Sequence, residues 1–428
     1  MKLESLEKFG WRFGLETTQT LLAFLGNPHN SLRFIHVAGS NGKGSTCAFM
    51  ASFLKHCGYK TGLYTSPHLC DIRERFRING LWISQKDFKR QSRIVLEACE
   101  KTKRKLGHSP THFEALTAIA FCWFKEQKVD WVVLEVGLGG RLDATNVIAA
   151  PVVSLISPIG LEHQSILGKT IGQIAGEKAG IIKPESFVGT VQYRPEALKV
   201  IKKKALDCSA QLWSSGKEFD YRRTAKGVYW EGPGFHQEIK LSRAGDYQAA
   251  NAALALAGIQ YLRTRGLVHS SVKTIANSFE SMRWPGRMER ISQKPLIFLD
   301  GAHNPDGAKV LTSHLKRKYP RYRWIVLNGL LKDKDHQTFV NQLKSITELA
   351  VVTEPNIDRA ENGEKIYREW EKRGVRSVLV KDWKKALCLA RLKLRVSNQL
   401  TGLLITGSLY LVGDCRRELI LYKGLEKI

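Results

Sequence analysis

Gly39-Ser40-Asn41-Gly42-Lys43-Gly44-Ser45-Thr46 carries the residue types of a phosphate grip: glycines, one lysine and hydroxyls. Glycines let backbone N–H groups turn inward on an anion, a lysine reaches the outer phosphates, and Ser45 or Thr46 can place a hydroxyl on magnesium. The spacing departs from the common loop G-x-x-x-x-G-K-[ST]. Gly44 separates Lys43 from the hydroxyls, and the first glycine comes late. An ordinary glycine turn with a hydroxyl cap would use some of the same residues.

Three more side chains can serve such a loop. Glu135, in DWVVLEVG, sits at the C-terminal end of an apolar run, where open α/β sheets collect ligands. Magnesium takes oxygen ligands and keeps several waters, so a lone carboxylate suits it. Ser66 (LYTSPHL) and His163 (SPIGLEHQSILG) also follow strand-like runs. Each has a plainer reading as a capping carboxylate, a turn serine before Pro67, or a structural histidine. Glu114 stands three residues after Thr111, the spacing of a capping box, which competes with any substrate role. The loop FLDGAHNPDG places Asp300, His303, Asn304 and Asp306 where they can hold a ribose or a phosphate, or serve turn chemistry.

The elements that must position these residues alternate. Residues 33–39 read as a strand entering the loop, and residues 45–57 as a helix stopped by Gly58. Residues 60–65, 130–137 and 152–157 read as further strands, and 111–126 as a helix. Such alternation predicts a parallel sheet covered on both faces, an α/β fold. Residues 210–242 read as a small antiparallel insert, followed by an alanine-rich helix from Tyr247 to Gln260. After Pro285-Gly286 a second alternating series begins, with strands at 295–300, 324–330, 349–353, 377–380 and 402–406. The predicted division is an ATP-binding domain over residues 1–290 and a smaller α/β domain over 291–428.

The chain has 428 residues and 43% hydrophobic content, enough for two or three domains. No apolar run is long enough for a membrane span, and no apolar leader opens the chain. The eight cysteines are scattered without a C-x-x-C pair, which suits a reducing cytoplasm. Lys and Arg number 67 against 40 Asp and Glu, a net charge of +27. That field attracts polyanions. The basic clusters at 101–105, 202–204 and 316–324 match no nucleic-acid motif, so solvated faces are the expectation.

Together these segments resemble the folylpolyglutamate synthase/dihydrofolate synthase family, a branch of the Mur ligase superfamily. The resemblance rests on HVAGSNGKGST, GLYTSPHL with RERFRING, LEVGLGGRLDATNV, LEHQSILG, EKAGIIK, GDYQAANAALAL, WPGRMERI, DGAHNPDG and ITGSLYLVGD, in that order over nearly the whole chain. It implies a P-loop-type ATPase domain and a Rossmann-like C-terminal domain. It implies an ATP-dependent amide ligase that joins L-glutamate to dihydropteroate or a folate through an acyl phosphate. Lys43, Lys178 and His163 would be catalytic, with Lys178 carbamylated. Gly39 through Thr46, Asn251, Arg287, Asp300 and His303 would hold ATP, the last three from across a cleft between domains. Ser45 and Glu135 would ligate one Mg²⁺, and Ser66, Glu135 and His163 a second. A monomer is expected, with no membrane or nucleic-acid partner. Glu162 stands where many relatives carry Asp, and Ser40 where Thr is common; both keep chemical type.

Two rivals remain. A Mur-type ligase of peptidoglycan would need a domain for a UDP-sugar, and only 38 residues precede Gly39. A basic nucleic-acid-binding NTPase would need RNA or DNA to stimulate ATP use, with a salt-dependent affinity.

Overall fold

Strand β1 (Phe34–Ala38) is buried along its length and delivers the chain into the glycine loop. Seven more strands complete its sheet: β2 (Thr61–Tyr64), β3 (Phe76–Ile78), β4 (Leu81–Trp82), β5 (Trp131–Glu135), β6 (Val153–Ile156), β7 (Phe187–Thr190) and β8 (Gln211–Ser214). The order is β4-β3-β2-β5-β1-β6-β7-β8. From β2 to β8 all neighbours are parallel, so their C-terminal ends lie at one edge. β3 and β4 form an antiparallel ribbon on the far side of β2. The structure, a computed structural model, describes Leu3, Leu6 and residues 14–241, 248–397 and 400–421. Tyr247, the predicted helix start, and residue 242 of the predicted insert lie outside them.

Both faces of this sheet are covered, because strand side chains alternate. Val153 and Leu155 approach Gly258 of the helix Ala249–Thr264. The next residue, Ile156, packs with Val188 against the helices Ile171–Ala179 and Pro195–Asp207 on the other side. With apolar contact on both faces, the strands read as continuous hydrophobic runs rather than alternating ones.

The antiparallel insert is narrower than the pattern predicts. It consists of β9 (Asp220–Arg223), β10 (Gly227–Gly232) and β11 (Phe235–Lys240). Residues 211–214 instead extend the parallel sheet as β8, with Trp213 edge-on to Phe187. A four-residue run does not reveal whether its neighbour runs parallel or antiparallel, and only the pairing decides it.

The chain divides into two compact units: Met1–His68 with Arg73–Met282, and Leu69–Ile72 with Arg283–Ile428. The second unit holds β12 (Glu289–Gln293), β13 (Leu296–Leu299), β14 (Arg323–Asn328), β15 (Thr347–Val352), β16 (Ser377–Leu379) and β17 (Thr401–Thr406). Their order is β12-β13-β17-β14-β15-β16, parallel except for β12. Its core joins Ile297, Leu299, Leu327, Leu403 and Ile405 to Ala386 and Ala390 of the helix Trp383–Arg395. Among the described residues, no helix is long and apolar enough to cross a membrane.

Lys316, Arg317 and Lys318 close the helix Pro305–Lys318, where cations complement the helix dipole. Arg323 donates to the carbonyls of Ser345 and Thr347. Part of the basic content therefore has local structural employment.

His36 in β1 is fully buried, with Nε2 2.9 Å from the Thr145 hydroxyl. Burial, and then the nearby Lys183, lower it from the ordinary value of 6.5 to about 3. The unfolded chain therefore takes up this proton first. Stability from the neutral imidazole is complete above pH 6.5 and is lost as pH falls towards 3. The local slope approaches about 1.4 kcal/mol per pH unit. His36→Gln should keep the hydrogen bond and flatten the dependence of the unfolding midpoint on pH between 6 and 4 by about one proton. An unchanged slope would remove His36 from the acid limb.

Candidate functional site

The site is built on the edge where β1, β5 and β6 end. After Ala38 the chain turns at Gly39, whose φ is +141°, and again at Gly42, at +95°. Both positions are closed to a side chain. A Cβ on Gly39 would lie 1.9 Å from Ser157 Oγ, and one on Gly42 would lie 2.0 Å from Asn251 Oδ1. The amides of Ser40 and Asn41 donate to the Pro158 carbonyl, at 3.1 and 3.3 Å. The Ser40 hydroxyl lies 3.2 Å from the carbonyl oxygen and 3.0 Å from the amide nitrogen of Gly160. The loop is thus pinned to the segment after β6, and its curvature is set before any ligand arrives.

The helix Lys43–His56 starts at Gly42 with no side-chain cap and no acidic residue in its first turn. The first N–H groups of a helix have no intrahelical acceptor, and the dipole adds positive potential there. Thr46 adds a second sign of fit: its hydroxyl is buried without a hydrogen-bond partner. A buried hydroxyl left unpaired is costly, and an ion with its waters is a natural partner for it. Ser45 is buried beside it.

Two ammonium groups converge on one carbonyl. Lys43 Nζ donates to Gly39 O at 2.9 Å and to Ser40 O at 3.3 Å. Lys178 Nζ donates to the same Gly39 O at 2.9 Å and to Glu162 Oε1 at 2.8 Å. The Lys178 and Glu162 side chains are only 2% and 7% exposed. Burial lowers the Lys178 ammonium below the usual lysine range; Glu162 opposes this without cancelling it, and Lys43 adds to it. Burial works to raise Glu162, but Lys178 and Lys43 outweigh it and hold the carboxyl well below its ordinary range. The pair is an ionised carboxylate opposite an ammonium that releases its proton more readily than a lysine in water.

Glu135 ends β5 directly beside Val37 of β1, and its Oε2 accepts the Ser66 amide at 3.1 Å. The predicted pair Glu135 and Ser66 is therefore brought together. His163 caps the short helix Gln164–Leu167 at φ +47°, adjacent in sequence to Glu162. Among the described residues no group of three His, Cys, Asp or Glu side chains forms a metal cage. A cation here would rest on few protein oxygens and retain waters, as magnesium does. Asn251 touches the loop at Gly42 and donates to Gln248 Oε1 at 2.5 Å.

In the second unit, Asp300 follows β13 and accepts the amides of Met288 and Ala302, at 2.8 and 2.9 Å. These bonds tie the segment carrying Arg287 to the strand end, where the Arg287 guanidinium closes on Gly301. His303 Nδ1 lies 2.8 Å from the Gly301 carbonyl, and Asn304 caps the helix Pro305–Lys318. Arg287, Asp300 and His303 are thus neighbours, although twelve residues separate Met288 from Asp300.

Glu114 forms the predicted capping box with Thr111 and also accepts the Thr18 hydroxyl at 2.9 Å. It lines a cleft with Phe113, Leu138, Leu142, Asp143 and Glu177. Asp143, absent from the sequence-predicted site, accepts the Leu138 amide and both the amide and the hydroxyl of Thr145. Its position in GGRLDATN, after a glycine turn at a strand end, was the available signal. Glu162 was visible only as a carboxylate next to His163. Its pairing with Lys178, 16 residues on, needed the fold.

Residues 286–409 match the family described as Mur ligase, glutamate ligase domain. The chain is 35% identical over 434 residues to the dihydrofolate synthase/folylpolyglutamate synthase of Bacillus subtilis (strain 168), covering 96% of each. The solved folylpolyglutamate synthase of Mycobacterium tuberculosis, complexed with ADP and AMPPCP, superposes with a TM-score of 0.90 at 30% identity over 97% of each chain. E. coli FolC in complex with DHPP and ADP gives 0.88 at 29% identity, over 98% of this chain and 97% of that one.

Proposed function

The chain belongs to the folylpolyglutamate synthase/dihydrofolate synthase family, and from that membership we propose how its own residues carry out the reaction. It is an ATP-dependent ligase that adds L-glutamate in folate metabolism. The observation that carries the assignment of residues is the meeting of Lys43 and Lys178 on the Gly39 carbonyl, beside an uncapped helix start.

In this reading ATP lays its phosphates on the helix start, in the curve set by Gly39 and Gly42. Asn251 borders that curve, and Arg287, Asp300 and His303 are assigned to the nucleotide on the strength of the family resemblance. Lys43 leaves its carbonyl acceptors for the outer phosphates and neutralises charge on the γ-phosphoryl oxygens during transfer. Ser45 with Glu135 would hold one Mg²⁺, and Ser66, Glu135 and His163 a second. Bound there, the ions supply further positive charge against the phosphoryl oxygens. The acceptor is the carboxylate of dihydropteroate or a folate, which becomes an acyl phosphate. The α-amino group of glutamate then attacks its carbonyl carbon, and phosphate leaves. The acyl phosphate must be kept from water, which requires a closed site.

Lys178 as a free amine can add CO₂, forming an N–C bond and releasing a proton, to give a carbamate anion. Burial supplies the neutral amine. The carbamate would face Glu162, so Lys43 and the metal charge must offset the repulsion. The cleft between Phe113 and the 138–144 segment offers a ring and three carboxylates, Glu114, Asp143 and Glu177. That chemistry suits a flat, donor-rich heterocycle such as a pterin. Residues 1–290 carry the phosphate grip in this proposal, and residues 291–428 the ligase domain.

Radiolabelled glutamate, offered with ATP and either dihydropteroate or tetrahydrofolate, tests the assignment directly. Incorporation with one or both is expected. No incorporation, together with ATP hydrolysis stimulated by RNA, would favour the nucleic-acid rival. Gly42→Ala tests the curve itself. It forces a Cβ onto Asn251 at a φ of +95°, a conformation costing L-residues about 1–2 kcal/mol. The KM for ATP should rise about tenfold or more, since 1.4 kcal/mol is a factor of ten. An unaltered ATP titration would place the phosphates elsewhere.

A further inference from the structure

One buried polar side chain takes no part in the reaction above. Asn146 is 4% exposed and lies in the turn Ala144–Val147, after the loop that follows β5. Its Nδ2 donates to the Arg141 carbonyl at 2.9 Å and to the Gly180 carbonyl at 3.1 Å. Its Oδ1 is buried and has no hydrogen-bond partner among the described residues. The two carbonyls fix which way the amide faces, since a flipped amide would set oxygen against oxygen. A buried acceptor left unpaired is costly, so local stability alone does not explain the position.

Both carbonyls bear on Lys178. Gly180 is the C-cap of the helix Ile171–Ala179, two residues beyond Lys178. Its φ is −61°, so no left-handed turn closes this helix end, and the last carbonyls of a helix lack intrahelical donors. Asn146 supplies one. Arg141 holds the same turn through its backbone: its amide donates to the Glu177 carbonyl at 2.7 Å. The two segments meet too closely for side chains. A Cβ on Gly140 would lie 2.7 Å from the Glu177 carbonyl oxygen and 3.1 Å from Lys178 Cα, and one on Gly180 would lie 2.5 Å from Arg141 Cα. The helix end is thus held at residue 177 and at residue 180, with Lys178 between. From that backbone the buried Lys178 side chain extends to the Gly39 carbonyl at 2.9 Å.

We propose that Asn146 is a positioning residue for the ligation: its amide clasps the loop after β5 to the end of the Lys178 helix and so sets Lys178 Nζ against the phosphate turn. The inference rests on the ligase reading, with Lys178 as the amine that captures CO₂, and names the group that keeps it in place. A lysine stem is flexible, so its Nζ has a fixed position only if the backbone that carries it is held. A displacement of about 1 Å at a positioned group can cost on the order of a hundredfold in rate. Asn146 lines neither the glycine curve nor the cleft beside Phe113, so its effect passes through Lys178.

Asn146→Asp tests this, because it keeps the shape and removes both donors. Its kcat should fall by about tenfold to a hundredfold, while the KM for ATP and the KM for tetrahydrofolate each stay within about twofold. Asn146→Ser keeps one donor and should lie between the variant and wild type. Assays run well below each variant's unfolding midpoint keep the folded fraction constant. A second readout follows the amine itself. Enzyme stripped of CO₂ and then titrated with bicarbonate should need more of it for half-maximal turnover in Asn146→Asp. A general loss of fold would lower the amount of active enzyme and leave that concentration unchanged. Wild-type kcat in Asn146→Asp overturns the proposal, and so does a lowered kcat with the wild-type bicarbonate requirement. If wild-type enzyme needs no bicarbonate and takes up no ¹³CO₂ label, the carbamate reading falls by itself. The clasp is then decided by the kinetic split: a fall in kcat alone sustains it, and KM values that move equally overturn it.

Discussion

Lys43→Ala should cut glutamate ligation by about two to three orders of magnitude, the usual loss when a positioned donor to developing charge is removed. The fold should survive. Lys43 is half-exposed at the first position of its helix, its hydrogen bonds go to two nearby carbonyls, and alanine is a better helix former than lysine. The loss should fall on kcat rather than on the folate KM, because the γ-phosphoryl charge is redistributed only as the group transfers. Lys43→Arg should rescue little. A guanidinium is a planar fork, and the space between the Gly39 and Ser40 carbonyls holds a compact ammonium. Rapid-quench measurement of ADP formation with and without glutamate checks the step affected. Near-normal turnover in Lys43→Ala would overturn the phosphate grip.

Lys178→Ala should be costly in both stability and activity. It leaves Glu162, 7% exposed, without its ammonium partner. Breaking one side of a buried ion pair typically costs about 3–5 kcal/mol. Lys43 still faces Glu162 and should keep the loss toward the lower end. Glu162→Gln in the same chain removes the stranded charge, so the unfolding midpoint should recover in the double variant. Turnover should not recover, because the amine that captures CO₂ is gone. Recovery of turnover would reduce Lys178 to a charge partner of Glu162. The carbamate has its own readout: ¹³CO₂ should label one site in the nucleotide-bound enzyme, seen by NMR, and the signal should be absent in Lys178→Ala. An unlabelled wild-type enzyme in bicarbonate-replete, nucleotide-bound form would end that part of the scheme.

Much of this site was legible in the chain because it is local. Gly39 through Thr46 lie within eight residues, and their types report the turn, the helix start and the anion together. Thr111 and Glu114 announce a capping box for the same reason. Apolar runs located β1, β2, β5, β6 and β13 to β17 to within a residue or two, since backbones buried on both faces need continuous hydrophobic side chains, whereas β7 and β12 went unread. Pairing partners were less visible. Residues 211–214 read as part of an antiparallel insert and are the last strand of the parallel sheet. The β3–β4 ribbon is too short to show a period, yet its pairing sets Arg77 directly beside Trp82.

What the sequence settled on its own was therefore the chemistry offered: a glycine curve, a lysine, hydroxyls, and carboxylates at strand ends. Which of these groups meet was decided only by the tertiary structure. Lys178 reaches Gly39 across 139 residues, and Glu135 reaches Ser66 across 69. Their protonation is also a tertiary property. Lys178 is an unremarked helical lysine until burial removes water from its ammonium, and Glu162 an ordinary loop acid until two lysines close on it. Spacing along a chain encodes local conformation, whereas desolvation and long-range charge depend on what the sheet order brings alongside.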